Sequence, residues 1–308
     1  MKKGFVLQSL ICLLAVSCSV QEMETPTPIP SGDNVFYASF ESNSAPDTKV
    51  YVDKKTVVLD ENETTEFLLF WDAEDQISIF NKSTLNQKYE FMGETGDNSG
   101  YFKKKADGSG TNTDTDYVCA VYPYQESTSL DESGVLTLTL PEKQTYKKES
   151  FGLKANTMVS TTTGESNLLR FKNVGGYMVF KFYGSGPENS DLTIKSIKLE
   201  GRNGELLSGE ATMTPDIDNE NPTINMASTA GTSITLDCGK KMGQTEGKAT
   251  VYWFMVPPTR FTQGFKVTVT DENERVFIKE TDIDLTIERN RVSTLKAVQV
   301  IFDEPVSD

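Results

Sequence analysis

The chain of 308 residues contains no histidine. That absence removes nucleophile activation by a serine–histidine or cysteine–histidine pair, and every metal site that needs imidazole. No GxSxG, GxxxxGK[ST] or GxGxxG pattern occurs, so the nucleophile elbow and the glycine-rich phosphate cradles are missing as well. Ser293-Thr294-Leu295-Lys296 matches SxxK, but it lies in an alternating, strand-like segment without companion SDN or KTG motifs. Asp216-Ile217-Asp218-Asn219-Glu220 begins like a calcium loop. It then places Asn221 where the glycine belongs and Ala227 where the bidentate glutamate belongs, and reads as a solvated loop. No catalytic residue, metal ligand or cofactor is assigned. A carboxylate pair for glycoside hydrolysis is not singled out by any local feature among 45 acidic residues.

Cysteine is scarce, with four residues. Cys119 and Cys238 each lie in an apparent strand, far apart and without a CxxC neighbour, and read as buried free thiols rather than a redox or zinc site. Basic residues are outnumbered 30 to 45, giving a formal charge of −15. A body this acidic repels phosphate, so nucleic acid is not an expected partner.

Long apolar runs are also missing, except at the amino end. Lys2 and Lys3 precede Gly4–Val16, which only Gln8 and Ser9 interrupt. This is the charged region and short hydrophobic region of an export signal, too short for a comfortable span. Ala15-Val16-Ser17-Cys18 follows and resembles a bacterial lipobox, in which the Cys18 thiol would take a diacylglycerol thioether after cleavage. Ordinary secretory cleavage nearby is the alternative. Residues 1–17 are thus expected as a lipoprotein signal peptide and 18–34, rich in proline and acid, as a linker off an outer membrane.

From Val35 onward the pattern is β. Short runs such as Val35–Glu41, Gln76–Phe80, Tyr117–Pro123, Val135–Pro141, Tyr177–Tyr183, Ala249–Pro258 and Arg291–Phe302 alternate with Gly, Asn, Asp, Ser and Pro. In Val135–Leu140 the period is two, with Leu136, Leu138 and Leu140 on one face. No long 3.6-residue repeat appears. The expectation is all-β, with two sandwich domains, 35–165 and 166–308, divided near the hydroxyl-rich stretch Ser160–Asn167. Val251–Val256 is apolar on both alternating faces, so it is either covered by the neighbouring domain or turned towards a partner. Trp71 is expected over the edge of the core, with stacking on a sugar as the alternative.

Several pieces, in order, resemble the fimbrillin family, the type V pilins and related surface lipoproteins of Bacteroidales. The most specific are WDAEDQISIF (71–80), AVYPY (120–124) and VPPTRFTQGFKVTV (256–269). The resemblance implies two transthyretin-like β-sandwich domains in a structural or accessory subunit of surface fimbriae. It implies export as a lipoprotein, proteolytic removal of the first strand, and filling of the vacated groove by a strand from a neighbour, in support of adhesion. On this chain the first strand would be Val35–Glu41. The processing candidate is Lys49, where arginine is the family's expected residue. The donor candidate is Arg291–Phe302, with Arg291, Val292, Thr294, Lys296, Val298, Val300 and Phe302 as its residues; strict alternation puts the last six on one face. Expected partners are other fimbrial subunits, a membrane through the lipid, and a host or bacterial adhesion target. A competing reading is a carbohydrate-binding surface lipoprotein, which would carry exposed aromatics at loop tips.

Overall fold

Strands form nearly all the regular structure in the computed structural model, which describes residues 34–41, 53–59, 62–106, 111, 113–184, 192–218 and 221–302. Cys18 and Lys49 lie outside the described residues. Along the chain come β1 (Val35–Phe40), β2 (Asp53–Leu59), β3 (Asn62–Leu68), β4 (Gln76–Ser83), β5 (Gln87–Phe91), β6 (Ser99–Ala106) and β7 (Asp114–Tyr122). Then follow β8 (Ser129–Leu130), β9 (Leu136–Leu140), β10 (Lys143–Thr145), β11 (Met158–Thr163), β12 (Leu168–Asn173), β13 (Gly176–Gly184) and β14 (Thr193–Gly201). The remainder are β15 (Gly209–Met213), β16 (Asn225–Met226), β17 (Ser233–Lys241), β18 (Thr250–Val256), β19 (Thr259–Phe261) and β20 (Phe265–Asp271). Last come β21 (Val276–Glu280), β22 (Leu285–Ile287) and β23 (Val292–Val300). Among the described residues the helical content is a single 3-10 turn, Glu246–Lys248, so the protein is all-β.

Seven strands close a barrel in the order β1-β12-β11-β7-β4-β5-β6, and β6 returns to β1. Every pairing in it is antiparallel except β1 with β12. A five-stranded sheet, β10-β17-β14-β20-β21, and a three-stranded sheet, β18-β13-β23, make up the other large layers. The sheet β16-β15-β9-β8 extends the barrel's core, with Leu136, Leu138 and Leu140 buried in strict alternation. Two small ribbons, β19-β22 and β2-β3, complete the architecture.

Two apolar cores result. Trp71 occupies the middle of the first, fully buried, rather than its edge. Its ring stacks on Phe40 (4.5 Å between centroids) and meets Phe102, Tyr122 and Phe171 edge-on at 4.9, 5.5 and 5.5 Å. It stands just past the end of β3 rather than on a strand, and its burial removes it from any sugar. The second core lies between the five-stranded and three-stranded sheets, from Ile194, Ile197, Leu199, Val267 and Val269 on one side to Phe180, Phe182 and Phe254 on the other.

Strands β13 and β18 serve both cores, which explains why the sequence is apolar on both faces there. Tyr177, Val179, Trp253 and Met255 point into the first, while Met178, Phe180, Phe182, Tyr252, Phe254 and Val256 point into the second. The polar stretch Ser160–Asn167 holds the end of β11 and the turn into β12, both barrel strands. Val174–Gly176 lead from β12 into β13. A Cβ on Gly176 would meet the Glu288 carbonyl oxygen at 2.1 Å, and one on Gly175 the Val256 carbonyl oxygen at 2.6 Å, so only glycine lets these backbones approach. Pro257 and Pro258 follow the last residue of β18, and Gly264, with φ +74°, turns the chain into β20.

Candidate strand-exchange site

β1 is six residues long and is bonded on both sides. Tyr37 through Phe40 run parallel to Leu168 through Phe171, and Val35 through Ser39 run antiparallel to Lys103 through Ser99. The Tyr37 N–H donates to the Asn167 carbonyl (2.9 Å) and the Glu41 N–H to that of Phe171 (2.8 Å). Alternation points Phe36 and Ala38 into the barrel, both buried, with the Phe36 ring edge-on to Tyr89 at 5.5 Å. Phe40 follows on the same side and covers Trp71. The outward Tyr37 hydroxyl donates to Ser99 Oγ at 2.9 Å. Withdrawing β1 would therefore strip main-chain partners from both β6 and β12 and open the first core beside Trp71.

Beyond β1, Glu41 enters a polar cluster. Its Oε1 accepts from Arg289 Nη1 (2.6 Å) and from the backbone N–H of Asn173 (2.9 Å). Arg289 Nη1 also donates to the Asn173 carbonyl (3.1 Å), and its Nη2 to Asn221 Oδ1 (2.9 Å). Asn173 Nδ2 donates to Asn290 Oδ1, Asn156 Nδ2 to Asn173 Oδ1, and the Tyr177 hydroxyl to Asn156 Oδ1, at 2.6, 2.7 and 3.0 Å. Burial holds the Tyr177 phenol well above its usual range, so it remains a donor.

Among the described residues the terminal strand β23 pairs with β13, in parallel, at one edge of the sheet β18-β13-β23. A bulge interrupts the pairing: Val179 opposes Thr294, yet Lys181 opposes Ala297, so β23 carries one extra residue. The faces expected from strict alternation are thereby corrected. Val292 packs against the first core, and past the bulge Val298 and Val300 face the second. Thr294, Lys296 and Arg291 are exposed, Val300 is fully buried, and Phe302 is buried under the Arg275 guanidinium at 5.2 Å. A bulge and an exposed lysine are the usual protections of a free edge.

The sequence pointed to both strands, and the structure seats them in different sheets joined through the Glu41 cluster. Glu41, Arg289, Asn173 and Asn290 carried no local signal, because Glu41 and Arg289 meet across 248 positions. The two thiols are free. Cys119 is buried in β7 and Cys238 half-buried in β17, and burial pushes each up to about 12, which makes them poor nucleophiles. Asp216 accepts from the Asp218 N–H at 3.0 Å in an exposed turn.

No family model matches the chain, and no curated protein matches it. Its neighbours among solved structures are candidate cell adhesion proteins and fimbrial proteins of Bacteroidales. A candidate cell adhesion protein of Bacteroides ovatus is 16% identical, covers 83% of this chain and 97% of its own, and gives a TM-score of 0.46. A second, from Bacteroides uniformis, is 15% identical over 89% of this chain and 98% of its own, with a TM-score of 0.45. A fimbrial protein of Bacteroides ovatus is 14% identical over 87% of this chain and 51% of its own, with a TM-score of 0.34.

Proposed function

We propose that the protein is a subunit, structural or accessory, of cell-surface fimbriae, assembled by strand exchange and supporting adhesion. It is not an enzyme, and it takes no cofactor. The observation that carries this reading is the seat of β1: a short strand at the amino end of the described body that closes a barrel and is bonded along both edges. Removing it would expose the Phe36 pocket, at about 1.5–3 kcal/mol for a phenylalanine alone, and two unpaired strand edges. A groove of this kind is filled by β-augmentation, in which main-chain bonds give affinity and alternate side chains give register. The donor would be Arg291–Phe302 of a neighbouring subunit, which lies at a sheet edge among the described residues. The fold would consist of two sandwich-type units, one per core, of the transthyretin-like kind. Lys49 would be the cleavage point and Cys18 the lipid attachment that holds the precursor at the outer membrane. Neither tryptophan favours carbohydrate binding, since Trp71 and Trp253 are 0% and 2% exposed.

Treating the purified protein with a trypsin-like protease should give a cut after Lys49 by mass spectrometry and fibres by electron microscopy. A Lys49→Gln variant should give neither, and cleaved wild-type protein that stays monomeric would overturn strand exchange. Membrane attachment is tested separately: Cys18→Ala should move the protein out of the membrane pellet, and a variant pelleting like wild type would contradict the lipid anchor.

A further inference from the structure

The Glu41–Arg289 pair joins the two strands that the proposed exchange requires to separate. Glu41 is the first residue after β1, and Arg289 lies in the turn that delivers the chain into β23. Their side chains are 9% and 16% exposed, whereas Arg260 and Asp284 meet in the open at 64% and 49%. A charge pair so enclosed costs much to break, because each partner is left desolvated. Glu41 also caps the Asn173 N–H at the end of β12, and Asn290, next to Arg289, donates its N–H to the Gly175 carbonyl at 2.7 Å. The root of β23 is thus clasped from the β1 side by a carboxylate and from the β12–β13 turn by backbone. Departure of β1 after a cut at Lys49 would carry Glu41 away with it. Among the described residues, Arg289 would then keep neutral acceptors, the Asn173 carbonyl and Asn221 Oδ1.

We propose that Glu41 and Arg289 form an autoinhibitory latch, which holds the terminal strand on its own subunit while β1 is in place and loosens it when β1 leaves. This rests on the strand-exchange reading. It adds an order of events: a subunit becomes a donor only after it has become an acceptor, so precursors with β1 still seated neither give nor receive a strand. Other ties of β23, among them its pairing with β13 and the burial of Val300 and Phe302, hold the strand without reference to β1.

The test is amide hydrogen exchange on the uncleaved protein, comparing wild type with Glu41→Gln, Arg289→Gln and the control Arg260→Gln. The latch predicts that exchange across Val292–Val300 accelerates by at least about tenfold in both latch variants, with β4 and β7 unchanged. Arg260→Gln should leave β23 as in wild type. If either latch variant fails to fold, Arg289→Lys provides the second reading, with a smaller acceleration confined to β23. Unchanged protection of β23 in folded latch variants would overturn the latch and leave strand exchange standing. A loosened β23 in a protein that forms no fibres after cleavage would sustain the latch and overturn the exchange.

Discussion

Asp75 shows how one side chain ties two distant stretches of the sequence. Its Oδ1 accepts from the Tyr122 hydroxyl (3.0 Å) and its Oδ2 from the Asp72 N–H (2.8 Å), so the WDAED and AVYPY pieces meet in the barrel wall. Burial raises its pKa from 3.8 to about 6, outweighing the two hydrogen bonds that favour the carboxylate. A folded-state pKa above the unfolded one means the fold binds the proton more tightly. The contribution is present in full below about pH 4 and is lost as pH rises through about 6, a change of about 3 kcal/mol. Urea unfolding of wild type and Asp75→Asn from pH 4 to pH 7 checks this. The stability of wild type relative to the variant should fall by most of that amount, about 2 kcal/mol, over this range, and a constant difference would contradict the assignment.

At the scale of the strand, β1 contributes through Phe36 and Ala38 to the first core and through its backbone to both neighbours. Phe36→Ala is expected to cost about 3–5 kcal/mol in chemical denaturation, while Met92→Ala, 61% exposed, should fall within about 0.5 kcal/mol of wild type. Much at this scale was legible in the sequence. The period-two pattern put Leu136, Leu138 and Leu140 on one face, which is buried, and the doubly apolar Val251–Val256 showed that this strand is covered on both sides or turned towards a partner; it is covered by both cores. Alternation failed in β23, because a bulge is a property of the pairing with β13 and leaves no trace in the spacing of valines. The depth of Trp71 is not legible in the sequence, since its neighbours Phe40, Phe102, Tyr122 and Phe171 come from four other segments. Glu41 and Arg289 were invisible for the same reason: their meaning is a contact.

For the whole molecule, the cores share β13 and β18, so a change in the barrel acts on strands that also build the second core. The barrel is closed through β1, and among the described residues β23 is one of the edge strands of the remaining sheets. A closed barrel has no edge to recruit a neighbour, and an opened one has two. That difference makes a stored, unpolymerised precursor compatible with assembly on cleavage. The reading holds together only if the slot vacated by β1 is where the neighbour enters. The most direct measurement is fibre length by electron microscopy when protein cleaved at Lys49 is mixed with increasing amounts of a synthetic peptide of residues 35–41, VFYASFE. The peptide should reoccupy the slot, shorten the fibres as its concentration rises and end with capped monomers; fibres whose length ignores the peptide would contradict assembly through the β1 groove.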